Sequence, residues 1–134
     1  MEQHLIADIP VKALIIRDGK ILITRDRLWE LPGGRMNVGE EPEETLHREI
    51  TEELGVDVRI LGIQDAFVRS VSEPNPPHLT LVYRCEFVDD TPIRPDEKEI
   101  QEMRWISAND DLSMISFFPG YPEMLKRFFH KLNS

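Results

Sequence analysis

The stretch GRMNVGEEPEETLHREITEELGV, residues 34–56, decides the fold. Within it Glu49, Glu52 and Glu53 stand at i, i+3 and i+4. In a helix each residue turns by about 100°, so the three carboxylates share one narrow stripe of the surface. Nothing basic shares that stripe. Like charges at these spacings destabilise an isolated helix, and an undiluted acidic stripe therefore points to a cation supplied from outside the chain, most simply a divalent metal. Acidic helix faces are also common as plain solvated surface. The flanks argue for more than that. Pro32, Gly33 and Gly34 lead in, Gly39 precedes Glu40, Pro42 suits a first helical turn, and Gly55 suits the left-handed cap after the last.

Loop and helix together resemble the signature of the Nudix hydrolases, Gly-x5-Glu-x7-Arg-Glu-U-x-Glu-Glu-x-Gly-U, with U a bulky aliphatic residue. Gly34, Glu40, Arg48, Glu49, Ile50, Glu52, Glu53, Gly55 and Val56 fill its fixed positions. The resemblance is strict over these 23 residues and looser over most of the chain, through WELPGG before them and EIQEMRW after. Thr45, where the family often has Ala, is a mild departure; beside the acidic stripe a small residue fits and a large one would crowd it.

The resemblance implies an α/β/α sandwich with a mixed β-sheet and hydrolysis of the pyrophosphate linkage in nucleoside diphosphate derivatives, with Mg²⁺ or Mn²⁺ as cofactor. It implies Gly34, Glu49, Glu52 and Glu53 as metal-site residues, the three acids also as catalytic groups, and Glu99, six residues before Trp105, as a further ligand. Glu49 or another nearby acid would orient the attacking water. Arg48 would hold carboxylates by bidentate hydrogen bonds; the plainer alternative is a surface ion pair with Glu44 or Glu52. Arg25, Trp29 and Leu31, close to the Pro-Gly-Gly turn, are the candidates for substrate contact. For Trp29, a core position is equally open.

At 134 residues the chain has room for one domain, taken here as 1–134. The formal charge of −9 argues against a nucleic-acid backbone or an anionic membrane as partner and for a small-molecule nucleotide. Residues 34–56 carry seven Glu against Arg35 and Arg48, so a phosphorylated substrate needs cations to approach them. Neither a 20-residue apolar run nor a basic leader is found, which points to a soluble cytoplasmic protein. Whether it is a monomer or a homodimer is open. Cys85, the only cysteine, lies in the apolar run LTLVYRCEFV and reads as a buried structural thiol.

Asp18-Gly19 between VKALIIR and KILITRD predicts a hairpin. VRILGIQDAFVRSV, HLTLVYRCEFV and QEMRWIS predict three further strands, SEPNPP a loop, and PEMLKRFFHKL a terminal amphipathic helix. Trp105 reads as core. Of the four histidines only His78, at the end of the Pro-rich loop, stands out. The leaving group is not legible in the box. Nucleoside triphosphates lead slightly over ADP-ribose or nucleotide-sugar substrates, given a short chain without an added dimerisation domain. A non-catalytic nucleotide sensor would show erosion of the paired acids, and an enzyme of RNA 5′ ends would show a basic track; this chain shows neither.

Overall fold

Aliphatic and β-branched side chains fill the two runs flanking Asp18-Gly19, and both runs become strands. A computed structural model, describing residues 2–132, has β1 at Pro10–Arg17 and β2 at Lys20–Arg25, with Ile16 opposite Ile21. Positive φ at Asp18 and Gly19 gives their turn the hand that matches strand twist. Then come β3 (Trp29–Glu30), β4 (Gly33–Arg35), α1 (Pro42–Leu54), β5 (Val58–Arg69), β6 (His78–Phe87), β7 (Glu102–Ile106) and α2 (Tyr121–Leu132).

Strand order is β3-β2-β1-β6-β5, with β4 on β1 and β7 on β2. β1 and β6 run parallel from the Val11–Leu81 pair to Ile15–Cys85, and the other strand pairings are antiparallel, so the sheet is mixed. β1 lies at its centre and its side chains alternate between faces. Val11, Ala13 and Ile15 pack with Leu46, Ile50 and Leu54 of α1; Leu14 packs with Tyr121, Met124, Leu125 and Phe128 of α2. One helix on each face makes the expected α/β/α sandwich. In α1 the buried Leu46, Ile50 and Leu54 repeat every four residues, which leaves Glu49, Glu52 and Glu53 off that buried stripe, with Glu49 and Glu53 against the glycines of β4.

β3 and β4 lie inside WELPGGR, where the sequence indicated only a turn. Runs of two and three residues are too short to show alternation, and they pair because β2 and β1 offer them open edges. Trp105 is half-buried, with the Arg17 guanidinium 4.5 Å from its ring centre and Phe87 edge-on to it. Cys85 is fully buried, and burial above all pushes its thiol up to about 12, so it is an inert core residue. Among the described residues no helix is long and apolar enough to cross a membrane.

Candidate active site

The glycine turn before α1 is packed directly against the helix's acids. Glu53, next to the buried Leu54, accepts the Gly33 N–H on Oε2 at 2.8 Å. Gly34 faces Glu49 so closely that a methyl group there would lie 2.3 Å from the carboxyl carbon. The missing side chain is what lets that carboxylate close on the backbone. Glu52 is half-exposed, at 54%. Burial pushes Glu53 up to about 8; Lys12 and the Gly33 amide pull against the shift, while Glu49 and Glu99 add to it. Glu99, in the turn before β7, is also raised, by burial and then by Glu49, Asp96 and Glu52. The acids at 49, 52, 53 and 99 thus lie close enough to repel one another. Asp26 also acts on Glu99 and belongs to no motif that would have flagged it.

Arg48 organises the other side of the cluster. Its Nε and Nη2 donate to the two oxygens of Glu40 at 2.7 and 3.0 Å, and Nη1 donates to Glu49 at 2.8 Å. Glu52 is only a 3.5 Å partner, and Glu44 bonds the Glu41 N–H instead, capping the helix. Glu40 also accepts the Asn37 N–H and the Thr45 hydroxyl, at 2.8 and 2.9 Å. These bonds, Arg48's foremost, hold its carboxyl at about 2. Thr45 is fully buried, so the hydroxyl that replaces the family's frequent Ala braces Glu40. Glu40 filled a fixed position of the box, but no role for it was read from the sequence.

A lysine presents one point charge where arginine presents a fork. Arg48→Lys is therefore expected to lower kcat about tenfold through loss of the Glu40–Arg48–Glu49 geometry. Glu40→Gln should do the same, and the double variant should be no worse than either single one. Additive losses in steady-state kinetics would show that the two side chains act separately.

Among the described residues, no three His, Cys, Asp or Glu side chains already stand converged as a metal-binding set. Glu49 and Glu40 are drawn to Arg48, and Glu53 to Gly33. The donors still suit a hard divalent cation, because all are oxygens and the acids at 49, 52, 53 and 99 are crowded enough to push carboxyl pKa values upward.

The three candidate substrate contacts lie away from the walls of the nearest cleft. Leu31 is 0% exposed and Trp29 9%, both packed in the core beneath α2, where a two-residue strand on β2 buries them. Arg25 makes an exposed ion pair with Glu102, at 2.9 Å from Nη2 and 3.3 Å from Nε. None of the three lines the nearby cleft of about 230 Å³, whose walls include Lys12, Gly34, Arg35, Arg69, His78, Phe118 and Tyr121. Gly34 belongs both to this cleft and to the contact with Glu49. Lys12, only 7% exposed, donates from Nζ to Glu30 at 2.8 Å and to the Gly33 carbonyl at 3.2 Å. Burial opposes its charge, but Tyr121, Glu30 and Glu53 hold the ammonium above the usual lysine range. A lysine amid the apolar residues of VKALIIR was the available signal for it.

A mixed-sheet sandwich with an acidic helix anchored on a glycine turn defines the class, and comparison with known proteins agrees. A family model of the NUDIX domain matches residues 9–128. This chain belongs to the NUDIX domain family. It is 34% identical over 119 residues to the NAD-capped RNA hydrolase NudC of Chromobacterium violaceum, a match covering 84% of this chain and 40% of that protein. It is 35% identical over 86 residues to YjhB of Bacillus subtilis, provisionally named an ADP-ribose pyrophosphatase, covering 59% of this chain and 41% of that one. The chain thus spans about two fifths of the length of these two relatives. The MutT protein of Methanosarcina mazei Go1 shares the fold, with a TM-score of 0.82 at 24% identity over 99% of this chain and 100% of that one.

Proposed function

We propose that the protein is a divalent-cation-dependent hydrolase of nucleoside diphosphate derivatives, cleaving a phosphoanhydride bond with water. The observation that carries this reading is the group of mutually repelling carboxylates Glu49, Glu52, Glu53 and Glu99, packed against Gly33 and Gly34. Divalent metal ions are in general use across the family. Glu49, Glu52, Glu53 and Glu99 would hold Mg²⁺ or Mn²⁺, which would supply charge neutralisation for the phosphates and a more acidic water. The chain's own residues hold and tune the site. Gly33 fixes Glu53 through its amide, Gly34 leaves room for Glu49, and Arg48 keeps Glu49 and Glu40 in register. Burial raises the Glu53 carboxyl in the metal-free protein, so holding a cation there would favour its ionised form. The acidic cluster next to an arginine-lined cleft supports a substrate that spans both. The names of the relatives support nucleoside-diphosphate chemistry and keep an ADP-ribose-type substrate as the second reading beside nucleoside triphosphates.

Incubating the protein with a nucleotide panel and Mg²⁺ or Mn²⁺ should release a nucleoside monophosphate with pyrophosphate or a phosphorylated leaving group. Folded protein that turns over no member would favour a nucleotide sensor. A second check needs no substrate. Cations that bind only the folded form stabilise it by mass action, by about 2.7 kcal/mol at 100 times the dissociation constant. Millimolar Mg²⁺ or Mn²⁺ should raise the melting temperature by several degrees beyond NaCl of equal ionic strength. If NaCl reproduces the whole shift, the acids are merely a screened surface.

A further inference from the structure

Two guanidinium groups lie against Phe118, an aromatic residue that lines the cleft together with Arg69; Arg27 reaches the same ring from outside the cleft walls. Arg69, at the end of β5, lies 4.9 Å from the ring centre of Phe118, and Arg27, between β2 and β3, lies 5.0 Å from it. The chain has 25 acidic residues against 16 Lys and Arg, yet neither arginine has a carboxylate partner among the described residues. Arg69 makes one polar contact, from Nη2 to His78 Nδ1 at 3.3 Å. His78 is lowered by burial and then by Arg69, so at neutral pH it is uncharged and can accept that bond. Among the described residues the Arg35 side chain, on the same wall, pairs only with Asp8, through an exposed 3.3 Å contact worth little in water. Lys12, on the floor, is already neutralised by Glu30.

Two carbons within 5.0 Å of one ring centre lie no more than about 10 Å apart, and contact with the Phe118 ring holds the two guanidinium groups without using their N–H donors. These are the groups best suited to bidentate contact with phosphate oxygens. At about 230 Å³ the cleft falls below the roughly 300–1,000 Å³ typical of whole-ligand pockets, so it suits one moiety of a substrate rather than all of it. Through Gly34 it adjoins the acids, so a substrate with its reacting linkage at Glu49 and Glu53 extends toward the arginines.

We propose that Arg27 and Arg69, seated on Phe118, form an anion subsite for a phosphate outside the cleaved linkage, so that nucleotides carrying a third phosphate are favoured over nucleotide sugars with an uncharged end. This rests on the hydrolase reading above for its consequence in turnover, but not for binding itself. The test therefore has two arms. In EDTA and at constant ionic strength, the intact protein should bind inorganic phosphate by titration calorimetry. Arg27→Gln and Arg69→Gln should each weaken that binding about tenfold, the usual scale for losing a charge-assisted hydrogen bond, while Glu53→Gln leaves it unchanged. With Mg²⁺, both arginine variants should raise KM for a nucleoside triphosphate about tenfold, with kcat kept and with little change for a nucleotide sugar. Absence of phosphate binding in EDTA, binding that survives both substitutions, or equal KM increases for the two substrate types would overturn the subsite. Phosphate binding without any turnover would keep the subsite and sink the hydrolase reading instead.

Discussion

Glu53→Gln is expected to cut kcat by at least ~100-fold and, in the metal-free protein, to raise stability at alkaline pH. Both effects come from one buried carboxyl. Folded, Glu53 titrates at about 8; its ordinary value is 4.5. Between those values the folded protein binds a proton that the unfolded chain has released, so stability falls as pH rises through that window and the whole cost is felt above it. Glutamine stays neutral and keeps an oxygen for the Gly33 N–H, so it escapes the cost while giving up the charge a cation needs. Melting curves in EDTA at about pH 5 and about pH 9 should show the wild type losing ground to the variant only at the higher pH. Parallel curves would mean that Glu53 is ionised throughout. Glu52→Gln, at a half-exposed position, should lose comparable activity without the stability gain. Glu99→Gln should lose less. Glu41→Gln and Glu43→Gln, ahead of or off the stripe, should stay near wild type. Equal losses at all five positions would mean that net charge governs the rate.

Helical period, strand alternation and turn chemistry carried most of the fold, because each is a local property of the chain. Leu46, Ile50 and Leu54 repeat at helical spacing, so the same count that buries them groups Glu49, Glu52 and Glu53 on another side of α1. The residues that share the cleft come from positions 12, 35, 69, 78 and 118, and no period links positions so far apart. The core placement of Trp29 and Leu31 was not legible for a related reason. They belong to or adjoin a strand of two residues, whose facing is set by its pairing with β2 and not by a pattern of its own. Arg48 posed a different problem. Its neighbours by helical count are Glu44 and Glu52, but its best partner is Glu40, outside the helix and brought within reach by the loop.

Gly33→Ala and Gly34→Ala should fail in different ways, although they are adjacent. At Gly33 the backbone has a φ of +137°, and a Cβ would lie 2.1 Å from the Val11 carbonyl oxygen and 2.9 Å from the Lys12 Cα. Side chains rarely adopt that φ, and both obstacles are backbone of the central strand, so relief requires β4 to part from β1. The expected cost is at least ~3 kcal/mol, a fall in melting temperature of roughly 10 °C. At Gly34 the three nearest atoms all belong to the Glu49 carboxyl, 2.3 Å from the added carbon at the end of a side chain that can rotate. The fold should survive, with the melting temperature within a few degrees of wild type, while Glu49 is pushed from the cluster and off Arg48. Activity should then drop by at least ~100-fold, as for direct loss of a group that stabilises the transition state. Gly34→Ser should match it, since the clash comes from the Cβ, and Glu49→Gln should lose about as much without any clash. A Gly34→Ala protein that melts normally and turns over at the wild-type rate would show that the position of Glu49 against the glycine turn does not matter to the chemistry.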